Sequence, residues 1–174
     1  MDEIKPAQIF LSLGSNMGDR EHNLETALQS LSQKMGLVKV SSLYDTAPVG
    51  NTRQERFLNL VCEVESTLTP AAVLSFVKEI EKNMGRQPGP VNGPRPIDID
   101  ILFYGDLVIN TADLAIPHPR LAERAFVLAP LMEIAPQFVH PVTREKVTKM
   151  FRELKIASGD AVKQGKIRGA LCMK

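Results

Sequence analysis

Two aspartates stand at i and i+2 in residues 92–106, NGPRPIDIDILFYGD: Asp98 and Asp100, set among Ile97, Ile99 and Ile101. A strand turns successive side chains to opposite faces, so the isoleucines share one face and the carboxylates the other. At ~3.3 Å per residue the carboxylates lie ~6.6 Å apart along the chain and repel each other. Aspartate is also a poor strand former. A divalent cation answers both objections. Mg2+ is held by one or two carboxylates plus phosphate oxygens, and its charge relieves the repulsion. A solvated acidic strand face is the plainer alternative, because D-x-D alone matches often by accident. The neighbouring cations favour phosphate chemistry. Arg95 lies three residues before Asp98, between Pro94 and Pro96; Arg86 follows Gly85; and IPHPRLAERAF supplies His118, Arg120 and Arg124. A guanidinium fork matches phosphate oxygens. Arg20, Arg53 and Arg152 read as solvated surface residues.

The elements that must position these residues follow from periodicity. Residues 8–13 (QIFLSL) are short, apolar and ended by Gly14, a first strand. GSNMGD is turn chemistry, with Asp19 placed to cap a helix. Leu24, Ala27, Leu28, Leu31 and Met35 recur there at helical spacing. Residues 38–44 form a second strand that stops near Pro48 and Gly50. Residues 57–65 (FLNLVCEVE) alternate cleanly and form a third. Thr69-Pro70 starts a helix with Val73, Val77, Ile80 and Met84 on its buried stripe and Gly85 at its end. Residues 87–96 hold four prolines and two glycines, so they form a loop. A closing segment is expected over 87–94, since long structureless loops in compact domains are usually functional. Residues 97–103 are a fourth strand, 104–106 turn the chain, and 107–109 return as an extra hairpin strand. A further helix covers 127–134. The order βαββαβ predicts an α+β fold: a ferredoxin-like antiparallel sheet with its helices on one face, plus the hairpin strand and C-terminal helices.

The 174 residues suit one domain. It is predicted to span 1–157, followed by a tail over 158–174. Charges after Asp160 are all basic there, and poor order is expected. The net charge of +1 lacks the basic footprint of a nucleic-acid binder. Cys62 and Cys172 give neither a disulfide framework nor zinc spacing, which fits a reducing cytoplasm. The N-terminus does not read as a signal peptide, and no apolar run reaches membrane-spanning length. A monomer or weak dimer is expected.

Several segments converge on one family. LSLGSNMGDR, SSLYDTAPVG, RFLNLVCEVE, IEKNMGR, GPRPIDIDILFYGD and IPHPRLAERAFVLAPLMEIAP occur in that order. Over about residues 9–139 the chain resembles the 6-hydroxymethyl-7,8-dihydropterin pyrophosphokinases of folate biosynthesis. The resemblance implies transfer of an intact pyrophosphoryl group from ATP to the pterin hydroxymethyl oxygen, releasing AMP. It implies two Mg2+ ions on Asp98 and Asp100. Arg86 and Arg95 would be catalytic and, with His118, Arg120 and Arg124, would hold the ATP. Leu74, Lys78, Glu81 and Ile101 would border the nucleotide, with Glu81 meeting ribose or adenine. The pterin would lie between Phe57 and Phe126, meet Asn59, and reach backbone groups of Thr46, Ala47 and Val49. Phe57 and Asn59, two apart on a strand, share a face, and an Asn offers donor and acceptor together. Familiar relatives carry a Trp in the loop near Asn92 and an arginine near Pro88; this chain has neither. The general base is Asp100 or a metal-bound water.

Without the resemblance, Phe57 and Phe126 read as core, Lys78 and Glu81 as a surface ion pair, and His118 as a turn residue between Pro117 and Pro119. Two other functions fit the same fold. One is a different two-metal nucleotidyl or phosphoryl transferase. The other is an RNA-binding module, disfavoured by nine aromatics and a near-neutral charge.

Overall fold

A computed structural model of the chain describes residues 3–50, 52–89, 93–154 and 160–168. The elements run β1 (Ala7–Ser15), α1 (Arg20–Leu31), β2 (Gly36–Val40), β3 (Ser42–Thr46), β4 (Phe57–Ser66) and α2 (Pro70–Asn83). They continue with β5 (Asp98–Tyr104), β6 (Ile109–Asn110), β7 (Ala115–Ile116), α3 (Ala125–Ile134), α4 (Val147–Glu153) and β8 (Ala161–Lys166). Local chemistry starts both early helices. Asp19 accepts from the His22 amide at 3.1 Å, and Thr69 accepts from the Ala72 amide at 3.2 Å, with Pro70 in the first turn.

Six strands form one sheet in the order β5-β1-β4-β3-β8, with β2 also on β4. Every pairing is antiparallel. The β5-β1-β4-β3 order is that of two interleaved split βαβ units, the ferredoxin-like arrangement. Alternation sorts the strands between two cores. Leu11, Leu13, Leu60, Ile97, Ile99 and Ile101 pack with Leu24, Leu28, Val73 and Val77 under α1 and α2. Phe10, Val61, Leu102 and Phe103 pack with Val127, Leu128, Leu131 and Met150 under α3 and α4. A register shift in the β1–β5 pairing, from Phe10↔Phe103 to Leu11↔Ile101, puts Leu102 and Phe103 on the same side.

Five sequence expectations are corrected. Helices cover both faces of the sheet, because the apolar 127–134 segment has a second strand face to bury. The strand expected over 38–44 is split at Ser41, whose buried hydroxyl accepts the Val61 amide at 3.0 Å in place of a ladder carbonyl. The expected return strand does not pair with β5: Ile109–Asn110 pairs with Ala115–Ile116 in a separate ribbon, leaving Leu107 and Val108 exposed. Of the tail expected over 158–174 to be poorly ordered, the described residues 160–168 hold β8, which pairs with β3 from Ser42↔Lys166 to Thr46↔Ala161. The helix expected to reach Met35 stops at Leu31, although Met35 remains buried. Among the described residues, no helix is long and apolar enough to cross a membrane.

Candidate active site

Register alone sets the floor of the site. Asp98 pairs with Gly14, Gly14 with Asn59, and Asn59 with Tyr44, across β5, β1, β4 and β3. Directly opposed residues share a sheet face. Asp98 and Asn59 therefore stand on one face, about 10 Å apart over two strand spacings, with only a glycine between them. A Cβ at Gly14 would collide with Asn59 Oδ1 and sit 3.5 Å from Phe57 Cδ1. A cavity of about 340 Å³ opens over this row. One end is charged, walled by Asp98, Asp100, Arg86, Arg95, His118 and Arg124. The other is aromatic and amide-like, walled by Thr46, Ala47, Val49, Phe57, Asn59 and Phe126.

The charged end is densely paired. Arg86 Nη1 donates to Asp98 Oδ1 at 2.8 Å and also to Glu81 Oε2. Burial pulls the Arg86 guanidinium down, but Asp98 and Glu81 together outweigh it and hold it above its ordinary value. Arg95 Nε lies 3.4 Å from Asp98 Oδ2, and Arg124 Nη1 lies 3.7 Å from Asp100 Oδ2. Burial, then the neighbouring Asp98 charge, raises the Asp100 carboxyl to about 6, against the pull of Arg124. Two buried donors, Arg95 Nε and Arg124 Nε, have no hydrogen-bond acceptor among the described residues. Buried donors of this kind are rare and call for an acceptor. An anion in the cavity would meet that need. Each of these arginines also stacks on a cavity ring, Arg95 over Phe57 and Arg124 over Phe126, both at 5.3 Å.

His118 is fixed by its own turn. Its Nδ1 accepts the Arg120 amide at 3.2 Å, and its amide donates to Leu102 O at 3.0 Å. Burial, then the Arg124 charge, lowers its pKa to about 4. The ring is therefore neutral near pH 7, with Nε2 carrying the proton. It is a donor without being a cation.

At the other end Asn59 Nδ2 donates to Thr46 Oγ1 at 2.5 Å. That fixes the amide rotamer. Asp45 beside Thr46 pairs with Arg56 and, at 3.4 Å, with Arg20, so Arg20 is a brace rather than the solvated surface residue expected.

The cavity wall does not include Leu74, Lys78, Glu81, Ile101 or Arg120. Ile101 is core beneath α2, and Leu74 packs against that core. Arg120 is exposed and lies 3.6 Å from Glu123. Glu81 does pair with Lys78, but the pair is not a surface one. Glu81 is 2% exposed, and its carboxylate is taken by Arg86, by Lys78 at 3.0 Å and by the Ile99 amide at 3.3 Å. The third contact falls on β5 between the two aspartates, so Glu81 locks α2 to the strand that carries them. Of the expected closing segment, Gly89 lines the cavity, and residues 90–92 lie outside the described residues.

Sequence reading missed Gly14 and Asn16. A glycine ending a strand read as a turn, yet glycine at a strand position also marks close approach of another group. Buried Asn16 joins two loops, donating to Gln54 Oε1 at 2.8 Å and Glu55 O at 3.1 Å while accepting the Arg95 amide at 2.9 Å. Nothing in its spacing signals that.

Among the described residues no group of three or more His, Cys, Asp or Glu side chains forms a protein-only metal cage. What Asp98 and Asp100 fit is a hard cation that shares its shell with substrate oxygens and water.

Residues 10–136 match the family model described as 7,8-dihydro-6-hydroxymethylpterin-pyrophosphokinase (HPPK). The chain belongs to the HPPK family. It is 41% identical to the 2-amino-4-hydroxy-6-hydroxymethyldihydropteridine pyrophosphokinase of Aquifex aeolicus over 139 residues, 80% of this chain and 87% of that one. It is 42% identical to the folic acid synthesis protein FOL1 of Dictyostelium discoideum, covering 82% of this chain. It is 47% identical to the mitochondrial folate synthesis bifunctional protein of Pisum sativum, covering 73%. The chain spans only 22% and 25% of the length of those two relatives. A solved Plasmodium falciparum HPPK-DHPS structure with pteroate superposes with a TM-score of 0.72 at 19% identity, over 88% of this chain and 44% of that one; the shared feature is the HPPK fold. Every residue of the cavity wall lies inside the HPPK match, whereas α4 and β8 lie beyond it.

Proposed function

We propose that the chain transfers a pyrophosphoryl group from ATP to 6-hydroxymethyl-7,8-dihydropterin, giving the pterin diphosphate and AMP in folate biosynthesis. One observation carries this reading: the Asp98–Gly14–Asn59 row, which joins a carboxylate-and-arginine end to an aromatic-and-amide end on one floor. A triphosphate suits the first end and a flat ring with polar edges the second.

Asp98 and Asp100 would hold two Mg2+ ions. When bound, Mg2+ neutralises phosphate charge and clamps the oxygens between which the group moves. The chain's residues do the rest by positioning and charge. Arg95 and Arg124, whose Nε donors lack a hydrogen-bond acceptor among the described residues, would offer them to phosphate oxygens. Arg86 is held on its other side by Glu81. His118 donates from Nε2 without adding charge. Phe57 and Phe126 offer faces to the pterin, and Asn59 addresses the ring edge with its amide. Closing these groups around the substrates excludes water, which strengthens each charge interaction.

The test is incubation with ATP, Mg2+ and the hydroxymethyl dihydropterin, followed by product identification. AMP and the pterin diphosphate are expected. ADP as the nucleotide product, or AMP without a diphosphorylated pterin, would favour a different transferase on the same floor. Omitting Mg2+ should abolish turnover, and full activity without it would remove the proposed metal role.

A further inference from the structure

We infer that β8, which lies outside the HPPK match, is a positioning strand for the Thr46 wall of the cavity. The ligand in this inference rests on the pterin reading above; the strand rests on geometry alone. β3 has five residues, and only Tyr44, Asp45 and Thr46 pair with β4. Its other side is taken by β8 along its full length, with Ala161 directly opposite Thr46. A strand end paired on one side opens more readily than the same strand inside a sheet, because fewer buried backbone bonds resist the opening. Thr46 is the sensitive place for such opening, since its hydroxyl fixes the Asn59 amide. Any drift of β3 is passed to the group that addresses the ring.

β8 is anchored from both faces of the sheet. On the α3 side Lys166 Nζ donates to Glu133 Oε1 at 3.0 Å. The same carboxylate accepts the Ser42 amide at 2.9 Å and hydroxyl at 2.8 Å, and the Tyr44 hydroxyl at 2.9 Å. Glu133 thus binds both strands to one helix. On the α1 side Ile167 is buried in the core beside Leu43 and Leu58, and the Arg168 amide donates to Glu21 Oε1 at 3.3 Å. Lys163 Nζ adds a further, longer contact to Glu133 Oε2 at 3.9 Å. β8 therefore closes the sheet and immobilises β3.

The test uses the full chain with Val162→Pro and Lys163→Pro made separately. Hydrogen-bonded and non-bonded pairs alternate along an antiparallel ladder, so one of the two prolines removes a bond to β3. Ile167→Ala loosens the opposite anchor, with Ile167→Leu as its rescue. Amide exchange over residues 45–47 reads the strand. Calorimetry with 6-hydroxymethyl-7,8-dihydropterin, and separately with Mg2+ and a non-hydrolysable ATP analogue, reads the two ends of the cavity. One proline variant and Ile167→Ala are expected to speed exchange and raise the pterin Kd about tenfold, as when the competent wall is populated about a tenth of the time. The nucleotide Kd should stay unchanged, and Ile167→Leu should restore both readouts. Unchanged exchange in every variant, faster exchange with an unchanged pterin Kd, or equal weakening of both ligands would each overturn the inference. If the unaltered chain binds no pterin, the functional reading fails, and the exchange data still decide whether β8 holds β3.

Discussion

The Asp100 carboxyl sits at about 6 against an ordinary 3.8 because it is buried and faces Asp98. A folded value above the unfolded one means that folding favours the protonated form. The contribution is present in full below 3.8 and is lost as pH rises through about 6. Asp100→Asn keeps the shape and removes the charge. It is expected to raise the Tm at pH 7.5, leave it unchanged near pH 4, and abolish turnover. Melting curves at the two pH values check this, and a lower Tm at pH 7.5 would contradict it. His118 shifts the other way, to about 4 from 6.5. Its ring should remain neutral, with the proton on Nε2, down to about pH 5, which imidazole nitrogen shifts in NMR can read. A midpoint near 6.5 would show that the ring is solvated. The sequence made the aspartate pair legible because strand alternation needs no tertiary information. The burial of Glu81 was not legible, because i, i+3 spacing to Lys78 describes an exposed helix face equally well, and only the arrival of β5 buries it.

At the scale of elements, both early helices were readable from their caps and apolar stripes. Features that depend on distant partners were not. The break at Ser41 comes from a hydroxyl replacing a carbonyl in the ladder, and β8 finds its partner in a strand far earlier in the chain. Neither leaves a periodic trace. Glu133 links these elements. Burial would raise its carboxyl, but hydrogen bonds from Ser42, Lys166 and Tyr44 outweigh burial and hold it at about 2 against 4.5. A lowered folded value gives stability that is full above 4.5 and lost as pH falls through about 2. Glu133→Gln should therefore lower the Tm at neutral pH and flatten its fall between pH 4.5 and 2. An acid limb identical to that of the unaltered chain would show that Glu133 does not set it.

For the whole molecule, the sequence supplied the βαββαβ order of the core with its helices on one face, but not where the C-terminal helix lies. The apolar 127–134 segment could not reveal which strand face it covers. The consequence is a sheet buried on both faces, with a cavity at one end whose walls come from β3, β4, β5 and the turn before α3. Ligands that bridge those strands should stabilise the fold as a unit. The pterin and a Mg2+–nucleotide analogue, each at about a hundred times its Kd, should add roughly 2.7 kcal/mol apiece by mass action. No rise in Tm at those concentrations would show that the ligands do not bind the folded chain in preference to the unfolded one. The bare position at Gly14 has a bearing on inhibition. A compound that occupies the interval above it presses on a spot of the floor where an added carbon would have to displace the Asn59 amide. Resistance by steric exclusion at that residue would displace the amide proposed to address the ring, so escape is expected at the walls.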